Sequence, residues 1–173
     1  YAWLADGSNP NSRSVEVSTI DRLMIMDSAA YVHVRDMSFR HSSTSAFRQI
    51  GAAIQVGNHC RLERCDVQWC DFAGIAFTTG RGFGAVIDCV SSNNGNCGIQ
   101  GDQHPGFLVR GCVVEGNNYR GFNSQWSAGG MKFATGAYGV VEGCEVRNNN
   151  GNGIWFDWTS TGSLTVVRGN YVH

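Results

Sequence analysis

The chain has 173 residues, with 13 Lys and Arg against 14 Asp and Glu, a formal charge of −1. That balance excludes a phosphate-binding surface, which needs a basic stripe, and no apolar run reaches the roughly 18–20 residues that span a bilayer. Glycine supplies 23 positions, proline two and lysine one, Lys132; so much glycine, with asparagine runs such as Asn148-Asn149-Asn150, argues against helices. A 42% hydrophobic content is too high for disorder. What remains is an all-β chain with many tight turns.

Residues 1–30, with apolar Val15, Val17, Leu23 and Ile25, are expected to form an irregular first coil. From Tyr31 onward the sequence repeats. Six segments align without gaps: Val34–Phe39, Leu62–Val67, Val86–Ser91, Val109–Val114, Val141–Val146 and Val167–Val172. Their first position is aliphatic, and their fourth is Met37, Cys65, Cys89, Cys112, Cys144 and Asn170, at intervals of 28, 24, 23, 32 and 26 residues. A second anchor precedes the later segments: Gly74-Ile75, Gly98-Ile99, Gly130-Met131 and Gly153-Ile154, with Ala53-Ile54 in the same place earlier. Two strand-like stretches per repeat cannot bury an apolar face alone, but stacked coils can, each pairing with the next at about 4.8 Å. The spacing therefore predicts a parallel β-helix of about six to seven coils, one domain over 1–173. The long fourth interval holds an insertion at Gly121–Gly129. Because the sequence stops at Val172-His173 within a copy of the motif, it is expected to be part of a longer protein whose remaining coils or domains would be its first partners.

Four of the seven cysteines fall in one column and read as a reduced packing ladder, since parallel Cβ vectors 4.8 Å apart do not suit a disulfide. A Cys70–Cys97 bridge across a corner stays open. Five residues after the ladder position stand Asn94, Asn117 and Asn149, expected to bond from coil to coil at a corner.

Alternation along the Gly-Ile strand points Ile75, Ile99, Met131, Ile154, Phe77, Phe133 and Phe156 inward. Outward then come Gln55, Ala76, Gln100, Lys132 and Trp155, and beside them Gly57, Thr78, Asp102, Ala134 and Asp157. Asp102 and Asp157 would lie two coils, roughly 10 Å, apart along the backbone, with Lys132 between. Carboxyl groups about 6.5–9.5 Å apart suit an inverting glycosidase. Elimination from a uronic acid would instead use Lys132 as the cation or the base. Both remain open from the residues alone. Asp102, Lys132 and Asp157 are thus the candidate catalytic residues. Gln100, His104, Gln125, Trp126, Trp155 and Trp158 are the candidate substrate contacts, the tryptophans offering flat faces to sugar rings. Asn123 stands on the same insertion, and Tyr119, Arg120 and His59 are weaker candidates at its edge.

The segments Gly129-Gly130-Met131-Lys132-Phe133, Val140-Val141-Glu142-Gly143-Cys144-Glu145-Val146 and Asn149–Asp157 resemble the bacterial right-handed parallel β-helix repeat proteins of the pectate-lyase-like superfamily. The resemblance covers Tyr31 to His173. It implies a right-handed solenoid, a secreted bacterial protein and a polysaccharide partner, bound and cleaved by a lyase- or hydrolase-like reaction. The paired Asp, Gly-His-Gly and Arg-Ile-Lys motifs of polygalacturonases are missing, and Asp102-Gln103-His104-Pro105 only faintly echoes the Asp-Pro-His-Glu of alginate epimerases. Some related lyases use calcium, but no dense carboxylate cluster in the sequence supports a calcium site, and no cofactor is expected. The alternative is a non-catalytic rod, an adhesin or surface-fibre module, which would bind without turnover.

Overall fold

A computed structural model describes residues 4–45, 51–159 and 163–173. Among these, three parallel six-stranded sheets run the length of the molecule, and each coil contributes one strand to each sheet. Sheet 1 collects Met24–Ile25, Ala52–Val56, Ala73–Phe77, Cys97–Asp102, Gly129–Ala134 and Asn152–Asp157; it is the Gly-Ile strand of the sequence. Sheet 2 runs from His33–Arg35 to Val166–Arg168, and sheet 3 from Ser38–Arg40 to Tyr171–Val172. Sheet 1 begins within the first thirty residues, where Met24 pairs with Ile54, preceded by a single 3-10 turn, Pro10–Ser12.

The coil carries three strands where the repeat suggested two. The aligned six-residue motif is itself two strands, one in sheet 2 and one in sheet 3, parted by two residues, of which the first makes the turn. That residue has φ near +50 to +65° in every copy: Asp36, Arg64, Asp88, Gly111, Gly143 and Gly169. One left-handed residue turns the chain without a loop, so no turn cluster marks it in the sequence. Asp and Gly reach this region at low cost, and both recur here.

The core is a set of columns. Leu62, Val86, Val109 and Val141 form one of them, and Val67, Val114 and Val146 belong to another; each is fully buried. Cys65, Cys89, Cys112 and Cys144 stand in file as expected, and all seven cysteines are buried and free, Cys70 and Cys97 included. Each ladder thiol donates to the carbonyl of the motif's first residue one coil back: Cys89 to Leu62 at 3.6 Å, Cys112 to Val86 at 3.5 Å, Cys144 to Val109 at 3.8 Å. Burial pushes the Cys97 thiol up to about 12, so it is an apolar filler and no nucleophile. Met37, the first member of the file, departs from the pattern and is largely exposed.

The asparagine corner forms a continuous chain. Asn94 Nδ2 donates to Asn117 Oδ1 at 3.0 Å, and Asn117 Nδ2 to Asn149 Oδ1 at 2.9 Å. The same oxygens accept backbone N–H groups of Asn94 and Asn117.

On sheets 2 and 3 the outward charges pair between coils. Arg147 meets Glu115 at 2.7 Å, Arg168 meets Glu142 at 2.6 Å and Arg64 meets Asp36 at 2.8 Å. These are exposed or half-exposed pairs, each stabilising little, and they leave the unusual chemistry to sheet 1.

Candidate functional site

Register places the sheet 1 residues as alternation requires. Gln55, Ala76, Gln100, Lys132 and Trp155 form one outward row. In the next row Asp102, Ala134 and Asp157 are successive partners, so the two carboxylates share a column two coils, about 10 Å, apart. Beneath them lie Ile75, Ile99 and Met131, each buried, and Ile154, half-buried.

Outward does not mean open along the whole row. Ala76 is buried, and Gln55 is covered where Arg22 reaches its Oε1 at 3.4 Å. The insertion after Gly121 folds over the sheet: Phe122 meets the buried ring of Phe72 edge-on at 5.6 Å, and Trp126 lies 6.3 Å from the same ring. What stays open is a groove of about 650 Å³, lined by Gln100, Asp102, Lys132, Asp157, Trp126 and Trp158, with Thr79, Ser127 and Thr135 at its sides. Its floor contains Phe77 and Gly101. Gly101 occupies the column between Phe77 and Phe133, and a Cβ there would lie 3.2 Å from Phe133. The two rings lean into the gap and come within 6.5 Å, although their strands are two coils apart.

Lys132 is fully engaged. Its ammonium lies 3.1 Å from Asp157 Oδ2, donates to the Trp126 carbonyl and sits 3.8 Å above the Trp155 ring. An ammonium has three N–H donors, and all three have a target. One face of Trp155 is therefore a seat for the cation, and the ring does not line the groove. Asp102 differs: its Oδ1 is buried without a hydrogen-bond partner, as is Thr79 Oγ1. Gln100 is 8% exposed, and no hydrogen bond to its amide occurs among the described residues. An unpaired buried polar group costs about 1–3 kcal/mol. Two such atoms on groove-lining residues, with the Gln100 amide beside them, point to a ligand that supplies hydroxyls.

His104 does not belong to this site. It is fully buried; Nδ1–H donates to the Thr78 carbonyl at 2.9 Å and Nε2 accepts from the Gly84 amide at 3.1 Å. The alternation that points Asp102 outward is broken by Gln103, which takes φ +48° and turns the next side chain inward. Burial pushes the His104 imidazole below its ordinary value, and protonation of Nε2 would break the bond to Gly84. The unfolded chain takes up that proton below about pH 6.5 while the folded chain resists it. His104 thus supports stability above about pH 6.5, and this is lost as pH falls. Urea unfolding at pH 7 and pH 5 should show less pH dependence in His104→Gln, with ligand affinity unaltered.

Gln125 is exposed on the insertion and does not line the groove; its amide N–H bonds Asn123 Oδ1, which shapes the turn. His59 stacks between Tyr31 and Phe83 at 4.9 and 5.0 Å, on a corner away from the groove. Tyr119 lines a different cleft, and Arg120 pairs with Asp71 on the wall of that cleft. Thr79 and Thr135, missed in the sequence, stand directly after the Asp102–Asp157 row, a position that strict alternation would point inward.

Among the described residues, no three His, Cys, Asp or Glu side chains converge as a metal site. No helix among them is long and apolar enough to cross a membrane. Stacked parallel coils, one ladder per column and a groove on one sheet are now joined by a direct comparison: the family model for the right handed beta helix region matches residues 22–173. The chain belongs to that family. No curated protein and no solved structure matches it. In this right-handed β-helix, the part shared with the family carries every groove-lining residue, from Ala76 to Trp158.

Proposed function

We propose that this β-helix binds a neutral polysaccharide in the sheet 1 groove and hydrolyses it with inversion, as a secreted bacterial protein. The observation that carries the reading is the contrast between Lys132, whose donors are all occupied, and the groove-lining Asp102 and Thr79, each of which holds a polar atom without a hydrogen-bond partner. A uronate would need a free cation for its carboxylate, and elimination would need a free base as well. Lys132 is available for neither. Sugar hydroxyls, in contrast, satisfy Asp102 Oδ1, Thr79 Oγ1 and the Gln100 amide.

The column spacing of the carboxylates suits a water between one of them and the sugar. Asp102 protonates the leaving oxygen; Asp157, oriented by Lys132, takes a proton from the attacking water. Trp158, 84% exposed, and Trp126 supply stacking faces. Secretion and a bacterial source enter through the resemblance to polysaccharide-processing β-helices.

A panel of neutral and acidic polysaccharides tests the reading by two signals. New reducing ends from a neutral polymer, with no absorbance from unsaturated uronates, are expected. A rise in that absorbance would replace hydrolysis by elimination. Binding without either product would favour the rod or adhesin alternative.

A further inference from the structure

The corner between sheets 3 and 1 repeats a left-handed residue: His41, Trp69, Asn93, Gly116 and Asn148 all have φ between +52 and +62°. Asparagine and glycine hold this conformation readily, whereas Trp69 puts a bulky side chain in it, as Tyr31 and Phe83 do at another corner. Trp69 does not recover the strain by burial, because it is 45% exposed. Its ring lies 5.9 Å from that of Tyr119, tilted by 55°, and Tyr119 is half exposed in turn.

These rings belong to coils two apart, and the coil between them offers Gly95. A Cβ on Gly95 would fall 2.0 Å from the Asp71 carbonyl oxygen and 2.9 Å from Arg120 Cδ. Glycine is required, and its absent side chain lets Arg120 reach over to Asp71 at 3.2 Å and lets Tyr119 approach Trp69. The result is a cleft of about 540 Å³ that also includes Glu16, His41 and Ser43. Glu16 has no ion-pair partner among the described residues. Burial, with the Asp71 carboxylate beside it, pushes the Tyr119 phenol up from its ordinary value, so its hydroxyl stays a donor. The insertion separates the two clefts, Trp126 lining one and Tyr119 at its base lining the other.

We propose that the Trp69–Tyr119 cleft is a second saccharide-binding site, which seats a neutral pyranose unit of the same polysaccharide against two aromatic faces, with Glu16 and Asp71 accepting its hydroxyls. The proposal rests on the reading of the sheet 1 groove as a glycan site, from which the ligand class is taken. It adds a holding site away from the Asp102–Asp157 pair.

Calorimetry separates the two sites by stoichiometry. The full chain carrying Asp157→Asn, to stop turnover, is titrated with a short oligosaccharide of whichever neutral polymer the panel identifies. Two molecules per chain are expected. Adding Trp69→Asn should reduce this to one without lowering the melting temperature, since asparagine already holds that corner at Asn93 and Asn148; adding Trp158→Ala instead should remove the other. One molecule per chain, lost with Trp158→Ala and untouched by Trp69→Asn, overturns the second site and leaves the first standing. No binding of any glycan overturns both. A Trp69→Asn variant that melts many degrees lower shows the ring to be structural, which also overturns the proposal.

Discussion

Replacing Asn117 by alanine should lower the unfolding free energy by roughly 3 kcal/mol or more, as two or more buried groups lose partners at about 1–3 kcal/mol each. Asn117 is fully buried in the middle of the asparagine chain. Its Oδ1 accepts from both the backbone N–H and the side chain of Asn94, and its Nδ2 donates to the Ser91 carbonyl and to Asn149 Oδ1. Alanine leaves the Asn94 N–H sealed in the corner without a partner and takes one bond each from the Asn94 amide, the Ser91 carbonyl and the Asn149 oxygen. The loss is a large fraction of the 5–15 kcal/mol that holds a typical domain. Asn149→Ala, at the half-buried end of the chain, should cost clearly less. Urea unfolding of the three proteins measures the order; equal stability of Asn117→Ala and the parent would show that the ladder is not what closes this corner.

The second large effect concerns turnover. Asp102→Asn and Asp157→Asn should each reduce cleavage of the neutral polymer by about 10²–10⁴-fold, the usual contribution of a positioned acid or base. Both substitutions keep side-chain size, and neither residue lies in the core, so urea midpoints should move little. Lys132→Met should also lower the rate, because it frees Asp157 from its 3.1 Å contact and detaches the insertion at Trp126. Retained rates in both Asp variants would remove the carboxylate pair from the mechanism and return the groove to a binding role.

Much of the fold was legible because burial enforces repetition. A column position must stay apolar in every coil, so Cys65, Cys89, Cys112 and Cys144 signalled the stacking before any geometry was known. The number of strands per coil was not legible, since one left-handed residue such as Asp88 or Gly111 divides a motif that reads as continuous. The site divides in the same way. Asp102, Lys132 and Asp157 came from alternation within strands, where a period of two holds. His104 was misplaced because it follows a corner, where that period is interrupted. The bond of Lys132 to the Trp126 carbonyl lay beyond the sequence for another reason: an insertion with no counterpart in other coils has no register to copy.

Asp102 and Asp157 share a column with Ala134 between them, and this makes their separation a stepped quantity. Adding or deleting a whole coil moves one carboxylate by a full rung of about 4.8 Å, with no intermediate setting. A chain one rung longer at this point would hold the pair too far apart for a single water to bridge, and one rung shorter would bring them to the spacing of a retaining enzyme. The stereochemical outcome on such a scaffold is then an integer property of the solenoid; loss of the coil between the carboxylates would change it, and would take Lys132 and Trp126 with it.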